Sequence, residues 1–202
     1  MRWSRIIALF IIVLIFGAFL HYTLPQRDVV RIVNTESILT QIGGWNRLFF
    51  APLERNAPDT TISHDVRFIN TVRANGDTMV YRNEDTGLFW PPYFKFDTQD
   101  LQTEASNLAS TAADPQWVVV THYGWRMNLL SIYPNAVAIR PVAGPDVTHF
   151  PWLNIIILLG LAAIFFMAWR IWERFNDRVI DPIVDGVAVR WAKLKDRASR
   201  RR

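Results

Sequence analysis

The sequence predicts an α+β fold: two transmembrane helices bracketing a small strand-rich extracytoplasmic domain, followed by a cytoplasmic amphipathic helix at the C-terminal end. Three observations predict it. Two apolar stretches, at residues 6–24 and 151–170, are each long enough to cross a hydrocarbon core of ~30 Å. Charge is distributed unevenly, with net +2 over residues 1–25, −3 over 26–150 and +5 over 151–202. The middle segment carries short β-rich runs, turn signals and a single helical stripe, and its roughly 125 residues suffice to bury a core.

The first span contains Ile6 to Leu20, IIALFIIVLIFGAFL, with Trp3 before it and His21-Tyr22 after it. A cleaved secretory signal would need small residues at its processing site, and Phe19, Leu20, His21 and Tyr22 are all bulky. An uncleaved signal anchor is therefore expected. The second span, Trp152 to Trp169, is bracketed by tryptophans suited to the interfacial belt, with Arg170 and Arg174 beyond. Arg2 and Arg5 precede the first span, and Arg170, Arg174 and Arg178 follow the second. By the positive-inside rule both termini are expected to be cytoplasmic and the middle segment extracytoplasmic, which in a Gram-negative cell is the periplasm. The expected layout is a cytoplasmic N-terminus over 1–5, a span over 6–24, a periplasmic domain over 25–150, a span over 151–170 and a basic tail over 171–202.

Within the middle segment Arg27 to Asn34 reads as a strand, and Ile42 to Pro58, with Gly43-Gly44, as irregular loop. Val66 to Val72 and Thr78 to Arg82 flank Asn75-Gly76, a hairpin signal. Phe89 to Phe96 is aromatic, and Pro91-Pro92 confines it to an edge or an extended linker. Asp97 or Thr98 caps a helix reaching about Ser110, with Leu101, Ala105 and Leu108 on one apolar stripe. Trp117 to Tyr123 is a strand, and Leu129 to Tyr133 with Ala136 to Val142 form a further candidate pair around Pro134-Asn135. Five or six strands and one helix result.

The chain has no cysteine, which excludes disulfides, thiolate metal sites and cysteine nucleophiles. His21, His64, His122 and His149 show no ligand spacing, and no phosphate-binding, dinucleotide, zinc-protease or nucleophile-elbow motif occurs. No catalytic residue, metal or cofactor is assigned. Two strings stand out: Tyr81-Arg-Asn-Glu-Asp-Thr-Gly87 leading into Leu88-Phe-Trp-Pro-Pro-Tyr-Phe94, and His122-Tyr-Gly-Trp-Arg126. Arg82, Trp90, Tyr93, Trp125 and Arg126 are the candidate partner surface, because Trp, Tyr and Arg dominate interface anchors. The competing reading is a small aromatic core in which Arg82 or Arg126 pairs with Glu84 or Asp85. Exposure of Trp90, Tyr93 or Trp125 separates the two.

The order HYTLPQRDVVRIVNTES, DVRFINTV, YRNEDTG, WPPYFKFD, HYGWR and IYPNAVAIRPV resembles the bacterial family catalogued as domain of unknown function 1523. The resemblance covers most of residues 20–155 and is most specific in YRNEDTG…WPPYFKF, where Leu88-Phe89 is a minor departure from the family's pattern. It implies a two-span inner-membrane layout with no assigned activity and supplies no catalytic residues.

In the tail the second helix is expected to run through Arg178, break near Asp181-Pro182 and restart with Asp181 as N-cap. Ile183, Val187, Trp191 and Leu194 then lie on one face of a basic helix suited to an anionic lipid surface. The expected partners are the lipid bilayer and either a membrane protein or a second copy of the chain; a short membrane-tethered tail argues against nucleic acid. The expected function is a non-enzymatic accessory or scaffold protein of the inner membrane whose periplasmic domain binds a membrane complex or envelope partner. A periplasmic small-ligand-binding or sensing module is the alternative, with an envelope hydrolase behind it.

Overall fold

The computed structural model describes residues 2–42, 62–87, 93–182 and 186. The protein is α+β, with an N-terminal helix, a strand-rich domain and a C-terminal helix. Helix α1 (Arg2–Thr23) leads through Leu24-Pro25 directly into strand β1 (Gln26–Ile42). Strands β2 (Ile62–Arg73) and β3 (Thr78–Asn83), helix α2 (Thr98–Asn107), and strands β4 (Trp117–Tyr123) and β5 (Asn135–Pro141) complete this unit. Helix α3 (Trp152–Phe175) begins a second unit of its own. Residues Trp3–Thr23 and Trp152–Ile180 are both long and apolar enough to cross a bilayer, and neither buries side chains in the protein.

The five strands close into a barrel in the order β1-β2-β3-β5-β4 and back to β1. All neighbours are antiparallel except β3 and β5, which meet in parallel at the single register Arg82↔Asn135. That order, with a helix between the third and fourth strands, is the topology of an OB-type Greek-key barrel. An α+β domain with one helix was legible in the sequence; closure was not, because it hangs on that one parallel contact.

A five-stranded barrel has no lumen, so its interior must be filled by side chains. Val30 and Ile32 of β1, Ile69 of β2, Met79 and Tyr81 of β3, Val118 and Val120 of β4, and Ala136 and Ile139 of β5 do this. Helix α2 plugs one opening with Leu101 and Ala105, and Leu108 packs alongside at the edge. The predicted stripe is thus the buried face. At the N-cap Asp97 makes no side-chain bond; Asp85, brought from the end of β3, accepts from both Thr98 N–H at 3.0 Å and Thr98 Oγ1–H at 2.5 Å.

The hairpin at Asn75-Gly76 forms as expected, with Gly76 at φ +87°. Three expectations change. Strand β1 is about twice as long as Arg27–Asn34: it pairs with β4 near the helix and with β2 through Ile42, and a bulge at Val33 separates the barrel portion from an outer ribbon. Its outer half, Thr35-Glu-Ser-Ile-Leu-Thr, is polar enough to read as a loop. Leu129–Tyr133 is not a strand. A 3-10 turn at Asn128–Leu130 is closed by Ser131 at φ +50° and by a bridge between Met127 and Ile132, so the chain reverses where pairing was expected. Finally, α3 does not break at Asp181-Pro182. A π-helical stretch at Asn176–Ile180 carries it on, with Asp181 N–H bonded to Asn176 O five residues back. Widening the turn accommodates a proline that lacks an N–H and whose ring would clash with the carbonyl four residues before it. Of the loop expected over Ile42 to Pro58, Ile42 is the last residue of β1 and the rest lies outside the described residues, as does most of the tail, including Ile183, Val187, Trp191 and Leu194.

Candidate functional site

The two strings singled out in the sequence meet at the seam where β3, β4 and β5 close the barrel. Arg82 N–H donates to Pro134 O at 2.9 Å. Beyond that bond the strands diverge, and the Asn135 amide takes over from the backbone. Its Oδ1 accepts from Glu84 N–H at 2.9 Å, while its Nδ2 donates to Glu84 O at 2.9 Å and to Tyr123 Oη at 3.1 Å. The Arg82 side chain, 5 % exposed, bonds Glu84 Oε2 at 2.6 Å. Arg82 therefore leaves the candidate partner surface: it belongs to a buried ion pair, the competing reading of the sequence.

The rest of YRNEDTG is spent in the same way. Asn83 Nδ2 donates to Thr98 O and Gln102 Oε1, at 2.9 and 2.8 Å, which ties β3 to α2. Thr86 and Gly87 fold around Lys95, their N–H groups donating to Lys95 O at 3.2 and 3.1 Å, with Gly87 at φ +59°. The Lys95 ammonium is enclosed and donates to Asn83 Oδ1 and, at 3.2 Å, to Thr98 Oγ1. Burial pulls its pKa down to about 8, against the opposing pull of Asp97, Asp85 and Glu84. A lone lysine inside the aromatic run YFKF was the available signal for such a buried partner set, and the sequence reading passed over it.

A second cluster centres on Asp28, also missed. Asp28 Oδ2 accepts from Tyr81 Oη–H at 2.6 Å and Arg73 Nη2–H at 2.8 Å, and His122 Nε2 lies 3.3 Å away. Burial opposes ionisation, but the bonds from His122, Tyr81 and Arg73 outweigh it and hold the carboxyl well below the usual carboxylate range. Burial, reinforced by the adjacent carboxylate, pushes the Tyr81 phenol up. His122 is 3 % exposed and Tyr81 fully enclosed, whereas the Asp28 and Arg73 side chains keep 23 % and 37 % exposure, so the cluster runs from the barrel wall to its surface. Arg73 lines a groove of about 370 Å³ shared with Asp77, Thr78, Arg126 and Asn128.

The remaining candidates surround the last turn of α1. Gly124, at φ +95°, donates its N–H to Tyr22 O at 2.9 Å. Tyr93 Oη–H donates to Thr23 O, and the Tyr93 ring stacks on Tyr123 with centroids 4.7 Å apart. Trp125 Nε1–H donates to His21 Nδ1 at 2.8 Å and its indole meets Tyr22 edge-on at 5.4 Å. Gln26 Nε2–H donates to His21 O at 3.0 Å. Three carbonyls at the helix C-terminus, which an isolated helix leaves without partners, are thus capped by the barrel. Tyr93 and Trp125 are half-buried by this seat. Arg126 stands over the Tyr133 ring at 4.1 Å and donates to Ile132 O at 3.1 Å, with one edge on the groove. Trp90 lies outside the described residues.

No solved structure matches the chain. A protein from Haemophilus influenzae (strain ATCC 51907 / DSM 11121 / KW20 / Rd) described as an uncharacterized protein is 34 % identical over 164 residues, covering 79 % of this chain and 88 % of that protein. The family described as "Protein of unknown function (DUF1523)" matches residues 1–176, a span that holds α1, every strand of the barrel, the buried YRNEDTG network and α3. The chain belongs to that family.

Proposed function

We propose that the chain is a two-span protein of the bacterial inner membrane. Both termini are cytoplasmic, residues 25–150 form a periplasmic barrel, and the barrel is a non-enzymatic scaffold for a membrane complex or envelope partner. The carrying observation is the seat of α1: four hydrogen bonds and a stacked aromatic group lock its last turn to the barrel. A domain fixed in this way stands at one height and one orientation on its anchor, which suits docking to a neighbour in the same membrane. The buried Arg82–Glu84 pair and Lys95 support the same reading, since they are engaged in closing the barrel. OB-type topology is compatible with several activities and assigns none. The surface offered to a partner is the rim around Trp125 and Arg126, continuous with the seat of α1. The basic tail, whose sequence spaces Ile183, Val187, Trp191 and Leu194 three or four residues apart, adds a second hold on the lipid surface.

Cross-linking in intact membranes followed by mild-detergent purification tests the proposal. A stoichiometric membrane protein cross-linked through the Trp125–Arg126 rim, and lost with Arg126→Glu, is the expected result. A co-purifying small molecule with no protein partner would favour the sensing module instead.

A further inference from the structure

Strand direction fixes which end of the barrel α1 leaves from. Strand β1 runs away from the helix. Strand β4 comes back, from Trp117 opposite Arg31 to His122 opposite Gln26, and its continuation brings Gly124 and Trp125 onto Tyr22 and His21. Strand β5 departs again, with Asn135 opposite Tyr123 and Pro141 opposite Val118. Residues 124–134 therefore form a turn on the end of the barrel that faces the helix. Strand β2 also returns to that end, finishing with Arg73 opposite Val30, so the hairpin at Asn75-Gly76 lies there too.

The tip of the β4–β5 turn is apolar and uncovered. Leu129 is 95 % exposed and Leu130 43 %. The turn is nevertheless rigid, because Met127 and Ile132 exchange two backbone hydrogen bonds at 3.1 and 3.0 Å behind it. Two leucines held outward on a pinned turn, on the face from which a bilayer-length helix leaves, carry an apolar load that water does not reward. At the base of the turn stand an interfacial-type tryptophan, Trp125, and the groove edged by Arg73 and Arg126. Apolar tip, aromatic collar and guanidinium base follow the polarity gradient of a leaflet from acyl chain to phosphate.

We propose that the β4–β5 turn inserts into the outer leaflet of the membrane that α1 crosses. Leu129 and Leu130 enter the acyl region, and the base of the turn, with Arg126 and with Arg73 paired to Asp28 beside Asp77, stands at headgroup depth. The proposal rests on the two-span reading above and adds a second, peripheral contact between barrel and bilayer.

The absence of native cysteine makes single-site labelling direct. Full-length protein is reconstituted into vesicles of mixed anionic and zwitterionic phospholipid, with an environment-sensitive fluorophore on Leu129→Cys, Ile12→Cys or Leu39→Cys. Ile12 lies mid-helix in α1, and Leu39 is exposed on the outer ribbon of β1, remote from the helix. The expected result is blue-shifted emission at positions 129 and 12, quenched by lipids carrying a nitroxide in the acyl chain, with position 39 unquenched. An unquenched label at position 12 would sink the spanning helix and the insertion together. Quenching at 12 without quenching at 129 would overturn insertion alone. A blue-shifted but unquenched label at 129 would mean that protein, a partner or a second copy, covers the turn, and this too overturns the proposal.

Discussion

The carboxylate of Asp28 receives Tyr81 and Arg73 and faces His122 across 3.3 Å, so three side chains from β2, β3 and β4 converge on one oxygen of β1. Its side chain is still 23 % exposed, which tempers the cost of losing it. Asp28→Asn removes the anion while keeping the shape, and should cost about 1–3 kcal/mol of stability, read as a lower thermal midpoint of the full chain in detergent. The pH dependence follows from the depressed carboxyl. Above its ordinary value of 3.8 the native and unfolded carboxyls are both ionised and the full contribution is present; as pH falls below that range, protonation of the unfolded chain erodes it. Wild type should therefore lose more stability on acidification than Asp28→Asn. Lys95 acts with the same sign at the other end of the pH axis. Its pKa is lowered from 10.5 to about 8, so between those values the unfolded chain binds the proton that the native state has released, and stability rises with pH. The rise is at most ~3 kcal/mol and should vanish in Lys95→Met, measured as the thermal midpoint against pH. An unchanged slope in the variant would show that the buried ammonium is not its source.

Among the elements, Gly124 joins helix to barrel at φ +95°, where a side chain is strained whatever space surrounds it. A Cβ there would touch Pro134 Cα at 3.5 Å and the Tyr22 ring at 3.6 Å, contacts that pose no clash, so the penalty is conformational. Gly124→Ala should cost about 1–2 kcal/mol, whereas Gly144→Ala, which meets nothing, should leave the melting transition in place. The same region shows what the sequence could and could not disclose about elements. Local signals succeeded: Asn75-Gly76 gave its hairpin, the Val-rich run gave β4, and Leu101 and Ala105 gave the buried face of α2, with Leu108 just past its end. Long-range substitution defeated them. Asp97 sits at the N-cap position, but the bond that matters comes from Asp85, reached by folding the chain back. The outer end of β1 and the continuation of α3 past Asp181 were misjudged because a polar outer ribbon and a π-helical stretch just before Pro182 override residue preference.

For the whole molecule, the layout can be settled by reporter fusions. Alkaline phosphatase joined after Asp97 should be active and after Arg202 inactive, since the charge excess of +2 and +5 at the two ends sets against −3 between them. The opposite pattern would invert the compartments. The sequence disclosed two apolar helices and a strand-rich domain between them because composition and hydropathy are additive along the chain. Barrel closure was not disclosed, since one parallel contact and the amide of Asn135 decide it. The site was legible as two alternatives: Arg82 had the residue type of an interface anchor and an acid two residues on to pair with, and burial beside Glu84 made it the structural pair.

Leu24 and Pro25 are the whole connector between the last turn of α1 and the first strand. Two residues reach no more than ~7 Å even when extended, and here both ends are pinned. A domain on a flexible tether searches a hemisphere around its anchor and trades local concentration for reach. This barrel has no such hemisphere. With α1 spanning the bilayer as proposed above, it travels as its helix travels, by lateral diffusion and rotation about the membrane normal, and a partner must stand within about one barrel height of the bilayer.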